Sequence, residues 1–174
     1  MENENVKLLN VKLYYPSLFD KEQYKGTPTE YFGTKLILDP ADNKAAFEIV
    51  NAEIAKQVKA LKLAKLPMDK ACWKESENID LAGLWELRAK TKFQPTIVDQ
   101  GRQDVEKESG LIYSGCVVNV IVSFWSSANT PGGKRVGCTL LGVQFVKHGE
   151  PLGGGRKISR DVFDEIAVES TNDF

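Results

Sequence analysis

Residues 84–93 alternate without a break, with Trp85, Leu87, Ala89, Thr91 and Phe93 on one side and Glu86, Arg88, Lys90 and Lys92 on the other. Only a β-strand separates successive side chains onto opposite faces, so this stretch has one face for a core and one for solvent. A chain built around such a strand needs partner strands for both edges and an apolar layer beneath it. The same pattern predicts that Phe93 is a core residue together with Phe32, Trp85 and Phe124. It leaves Tyr31 and Tyr113 undecided.

Four more strands read from the pattern. Residues 8–15 alternate with Leu9, Val11, Leu13 and Tyr15 on one face and Asn10, Lys12 and Tyr14 on the other, ended by Pro16. Residues 31–38 form a second strand stopped at Asp39-Pro40, a pair that signals a helix start. Phe47, Val50, Ile54, Val58 and Leu61 then recur at spacings of 3, 4, 4 and 3, the stripe of an amphipathic helix. Its lysines crowd the C-terminal half, where they suit the negative end of the helix dipole and read as a solvated face. Residues 66–83 look irregular, and residues 99–110 form a charged loop. Residues 112–125 and 135–147 give the last two strands, joined by a turn-rich linker at 126–133. The expected architecture is mainly β, with five strands and one long helix between the second and third. The folded body spans residues 1–155, and residues 156–174 form a flexible acidic tail.

Charge is distributed unevenly between these parts. All 23 lysines and arginines lie in the first 160 residues against 19 acids, so a body of +4 precedes a tail of −5 in a chain whose formal net charge is −1. The tail contains Asp161, Phe163, Asp164, Glu165, Glu169, Asp173 and a terminal Phe174. A basic body with an acidic tail is a mark of nucleic-acid-binding proteins, although a solubilising terminus has the same composition.

Signals for chemistry are poor. Cys72, Cys116 and Cys138 are widely spaced and odd in number, which fits reduced thiols rather than a disulfide frame. The single histidine, His148, sits beside a glycine turn, and no clustered ligands suggest a metal. Gly132-Gly-Lys-Arg135 lacks the Ser or Thr that completes a phosphate loop. No catalysis, cofactor or metal is expected. No run of about 20 apolar residues suits a bilayer, so no membrane partner is expected either.

Binding is better supported. Arg88, Lys90 and Lys92 recur every second residue, a ladder with a step of about 7 Å that is close to the phosphate spacing of an extended single strand. The same ladder also suits an ordinary solvent-facing strand with protective lysines. Lys12 and Tyr14 share a face, and Trp125 precedes the cations Lys134 and Arg135. A basic groove with aromatic platforms is the chemistry of sequence-tolerant single-strand binding.

Three segments carry a resemblance: LYYPSLF at 13–19, IYSGCVVN at 112–119, and LLGVQFVKHGEPLGGG at 140–155. In these the chain resembles a family of bacteriophage single-stranded DNA-binding proteins, similar to the T7-type replication proteins. The resemblance implies a five-stranded Greek-key barrel of the OB-fold with its helix inserted after strand two, and no catalytic activity. It implies DNA contact through Lys35, Arg88, Lys90 and Lys92 on the strand 2–3 face and through Lys134 and Arg135 on a flanking loop. It further implies a tail that docks onto phage or host replication and recombination proteins, a homodimer, and a place in the cytoplasm of the infected bacterium. A protein–protein adaptor and an RNA-binding barrel are the alternative readings.

Overall fold

The computed structural model describes residues 4–152 and 163–167. The strands are β1 (Asn5–Ser17), β2 (Gln23–Tyr24), β3 (Thr27–Pro28), β4 (Phe32–Leu38), β5 (Trp73–Glu75), β6 (Trp85–Thr91), β7 (Thr96–Val98), β8 (Val117–Thr130) and β9 (Gly133–Lys147). One α-helix, α1 (Lys44–Ala60), lies between β4 and β5. The five expected strands are β1, β4, β6, β8 and β9. They close on themselves: β1 pairs antiparallel with β4 and β8, β4 with β6, and β8 with β9, while β6 meets β9 in parallel at Lys90 and Thr139. This is a five-stranded closed barrel of the OB type. The remaining strands are additions. β2 and β3 form a separate hairpin between β1 and β4, β5 pairs with β6, and β7 with β9.

The barrel interior is filled by one cluster that includes Leu8, Val11, Leu13, Leu36, Leu38, Leu87, Ala89, Val118, Val120, Val122, Phe124 and Leu140. α1 packs against the cluster through Ala46, Val50 and Gln57, with Phe47, Ile54 and Val58 of the sequence stripe partly buried beside them, and Gln57 donates to the Phe124 carbonyl at 3.4 Å. Phe47 stands 5.5 Å from both Trp73 and Trp85, whose rings lie 5.1 Å apart. The buried Trp73 indole donates to Asn51 at 2.9 Å, so this aromatic knot joins helix, β5 and β6 with its polar atom satisfied.

Several local expectations give way to tertiary geometry. In β1 the register slips between Leu8 and Val11, with Asn10 at φ 57°, so Leu8 turns inward and Leu9 outward. A second irregularity between Tyr14 and Ser17 carries the strand through Pro16 and exposes Tyr15, while Tyr14 keeps its expected face and is buried there by a small cluster with Ile37 and Leu81. A bulge adds one residue and exchanges the two faces, which the alternation pattern cannot anticipate. Asp39-Pro40 opens a turn instead of the helix: the Asp39 carboxylate accepts from the Ala41 and Asp42 amides, and α1 starts after Asn43. The linker at 126–133 is mostly strand, narrowing to a tight turn between Thr130 and Gly133. The irregular segment before Trp85 contains β5, too short for a periodic signal.

The 147–152 part of the third resembling segment proves to be a strap. The Tyr113 hydroxyl meets His148 Nδ1 at 3.0 Å, donates to the Gly149 carbonyl at 3.1 Å and accepts from the Gly149 amide at 3.0 Å. A Cβ at Gly115 would sit 2.0 Å from the Glu150 carbonyl oxygen, and one at Gly149 would sit 2.2 Å from that of Gly115. Only glycines allow these backbones to touch. Of the expected tail, only residues 163–167 are described; they form no helix or strand and expose Phe163 and Ile166.

Trp73 ties three elements together while only 6% exposed. Trp73→Ala is expected to cost about 3–5 kcal/mol, read as a lowered denaturation midpoint in urea.

Candidate nucleic-acid interface

The edge of β6 that does not face β4 is shared. β5 covers its first half through Trp73, Lys74 and Glu75, and β9 touches its second half only at Lys90. A parallel bridge from Ala71 to Val136 and a hydrogen bond from the Cys72 amide to the Val136 carbonyl continue the seam. Above it lies an open groove of about 530 Å³. Cys72 and Cys138 line it near the barrel wall, and burial pushes the Cys72 thiol up to about 12 and raises Cys138 as well. Both are therefore neutral near pH 7, which leaves the wall apolar and uncharged.

The rims hold the chemistry. Arg88, Lys90 and Lys92 come from β6 and its continuation, Arg135 and Trp125 from the β8–β9 hairpin, and Tyr31 from the residue before β4. Phe93 completes the set. It lies beyond the last β4–β6 pair, Phe32 with Thr91, and is 82% exposed. The core placement expected for Phe93 is thus corrected: the alternation continues in the sequence, but the sheet that would bury the residue has ended.

Trp125 is placed by its cross-strand partner. It pairs with Gly137, and a Cβ there would fall 2.1 Å from the indole. The ring therefore lies against bare backbone and presents its other side to the groove. Gly137→Ala is expected to push the indole off the strand, read as a shifted tryptophan emission. Unchanged emission would show that the ring is held elsewhere.

The charges are unequal. Lys90 lies 3.4 Å from Glu22 and Lys92 3.8 Å from Glu30, and both ammoniums stand within 6 Å of the Tyr31 ring centre, at 5.7 and 5.9 Å. Lys35 sits 3.7 Å from Glu86 and 5.9 Å from the Tyr14 ring. Among the described residues, Arg88 and Arg135 form no ion pair.

The structure therefore brings together Arg88, Lys90, Lys92, Trp125 and Arg135 from the expected site. Lys35 stands beside Arg88 in an adjoining cleft. Lys12 lines a different cleft, with Asp39, Asp42, Lys147 and His148. Tyr14 is 6% exposed, with its hydroxyl 3.1 Å from Asn78, and burial raises its pKa. Lys134 reaches back to the Leu61 carbonyl at 3.0 Å, where it caps the end of α1. Asp161, Glu169, Asp173 and Phe174 lie outside the described residues. Tyr31, left undecided from the sequence, and Phe93, expected in the core, join the groove. The early end of pairing after Thr91, near Pro95, was the available signal for Phe93. Among the described residues no three His, Cys, Asp or Glu side chains gather as metal ligands, and no helix is long and apolar enough to cross a membrane.

A basic groove with aromatic rims on an OB barrel agrees with comparison to known proteins. The family described as Enterobacter phage Enc34, ssDNA-binding protein, matches residues 4–174. The chain belongs to this family of phage single-stranded DNA-binding proteins. Its members are binding proteins and not enzymes. The solved single-stranded DNA-binding protein from bacteriophage Enc34 is 25% identical, with a TM-score of 0.73 over 92% of this chain and 90% of that one. Protein p50 of Acyrthosiphon pisum secondary endosymbiont phage 1 is 28% identical, covering 94% of each sequence. The single-stranded DNA-binding protein gp2.5 of bacteriophage T7 shares the fold, with a TM-score of 0.57 at 15% identity over 98% of this chain and all of that one.

Proposed function

We propose that this protein coats single-stranded DNA without sequence preference, holding it in the groove between β6 and the β8–β9 hairpin. The observation that carries the reading is one open groove flanked by two arginines outside any ion pair among the described residues, with Tyr31, Phe93 and Trp125 on its rims. Arginine attracts phosphate with a fixed fork of donors, and each stacked base adds about 1–3 kcal/mol. Stacking needs a splayed base, which a single strand offers and a duplex withholds. A complex of the Enc34 protein with single-stranded DNA has been solved, and that protein shares this fold.

The rest of the reading follows from the strand-coating role. The protein protects exposed strands during phage replication, recombination and repair in the cytoplasm of the infected host, and its acidic C-terminal residues recruit partner proteins. Tail and DNA are both anionic, so the tail competes for the same groove.

Fluorescence anisotropy with labelled oligo-dT and a matched duplex, at two salt concentrations, tests the central claim. Tight, salt-sensitive binding to oligo-dT with weak duplex binding is expected; equal affinity for both would reject it. Arg88→Ala with Arg135→Ala should flatten the slope of log affinity against log salt by about 1.4 on single strands, whereas Trp125→Ala should weaken binding and leave the slope intact. Deleting residues 161–174 is expected to tighten oligo-dT binding, most of all at low salt. Weaker binding by the truncated protein would refute competition by the tail.

A further inference from the structure

Each lysine along the β4–β6 face carries its own carboxylate. Lys35 has Glu86, Lys90 has Glu22 and Lys92 has Glu30. Glu22 is the more firmly seated of the two whose lysines line the groove. Its amide donates to the Tyr31 carbonyl at 2.7 Å and its carbonyl accepts from the Thr29 amide at 2.7 Å, so the neck of the β2–β3 hairpin clamps it on both sides. Its side chain is 25% exposed and lies over Gly33, where a Cβ would stand 2.8 Å from Glu22 Oε1. Bare backbone at Gly33 is what lets the acid reach Lys90. Glu30 is 79% exposed, so its hold on Lys92 is weak.

We infer that Glu22, seconded by Glu30, is a specificity-determining residue: a built-in counter-anion that stops the lysines from attracting DNA by charge alone. The inference rests on the single-strand reading above. A phosphate that reaches Lys90 must displace a carboxylate already there, and exchanging one anion for another yields little net attraction. Duplex DNA has the higher charge density, one charge per ~1.7 Å of axis, yet offers no free base faces. It therefore loses most from this arrangement. A single strand keeps its stacking on the rings of Tyr31, Phe93 and Trp125, an interaction that does not depend on the lysine charges. The groove thus selects by bases because its charge has been partly cancelled.

The test uses full-length protein with Glu22→Gln, Glu30→Gln and both together, titrated with oligo-dT and matched duplex over a salt series. Glutamine keeps the shape and removes the charge, and Glu48→Gln, exposed on α1, controls for net charge. The double variant should bind duplex about tenfold more tightly at low salt, with most of the gain from Glu22→Gln. Its duplex salt slope should steepen by up to about 1.8, and its preference for oligo-dT should shrink. If duplex and oligo-dT affinities rise by the same factor, or match those of Glu48→Gln, the inference is overturned while the parent reading stands. If wild-type protein binds no oligo-dT, the parent reading fails and this one falls with it.

Discussion

The parallel contact between Lys90 of β6 and Thr139 of β9 turns an antiparallel sheet into a barrel. Every other barrel joint is antiparallel and extends over several residues, as in the seven pairs between β4 and β6. A joint of one pair leaves most of the β6 edge to be satisfied by other means. β5 supplies part of the need, and the Cys72 carbonyl, which accepts from the Arg88 amide at 2.8 Å, supplies more. Where neither strand fills the gap, the surface opens into the groove. The groove is therefore a consequence of how the barrel closes, and its side chains are those the two edges present: arginine and lysine from β6, tryptophan and arginine from the β8–β9 hairpin.

Magnitudes rank the forces in this groove. An exposed ion pair is worth about 0–1 kcal/mol, and a stacked base about 1–3 kcal/mol. With two of the ladder's three cations next to carboxylates, the aromatic rims outweigh them. This agrees with a chain whose formal net charge is only −1: selective strand binding needs a local arrangement of charge and rings, not a strongly basic protein. The neutral thiols along the groove add no negative charge to it.

Much of the barrel was legible before its coordinates. The inward set Leu87, Ala89 and Thr91, the stripe on α1 and the order of the five strands all appear as read. The departures have three causes. Leu9 and Tyr15 were assigned to faces by counting, and bulges changed the count. Phe93 was counted into a core that its partner strand does not reach. Lys134 was assigned to a binding loop, yet the α1 terminus captures it.

By itself the sequence determined the five barrel strands and the one helix, because period two and period 3.6 follow from local backbone stereochemistry. It also determined the ladder Arg88, Lys90 and Lys92, since alternate residues of a strand share a face wherever the strand lies. The tertiary structure alone decided which cations are met by acids and which aromatics face water. Glu22 reaches Lys90 only because a hairpin folds back over Gly33, and Trp125 faces the groove only because Gly137 lies beneath it. Contacts between residues far apart in the chain leave no periodic trace, so only the closed barrel can make them.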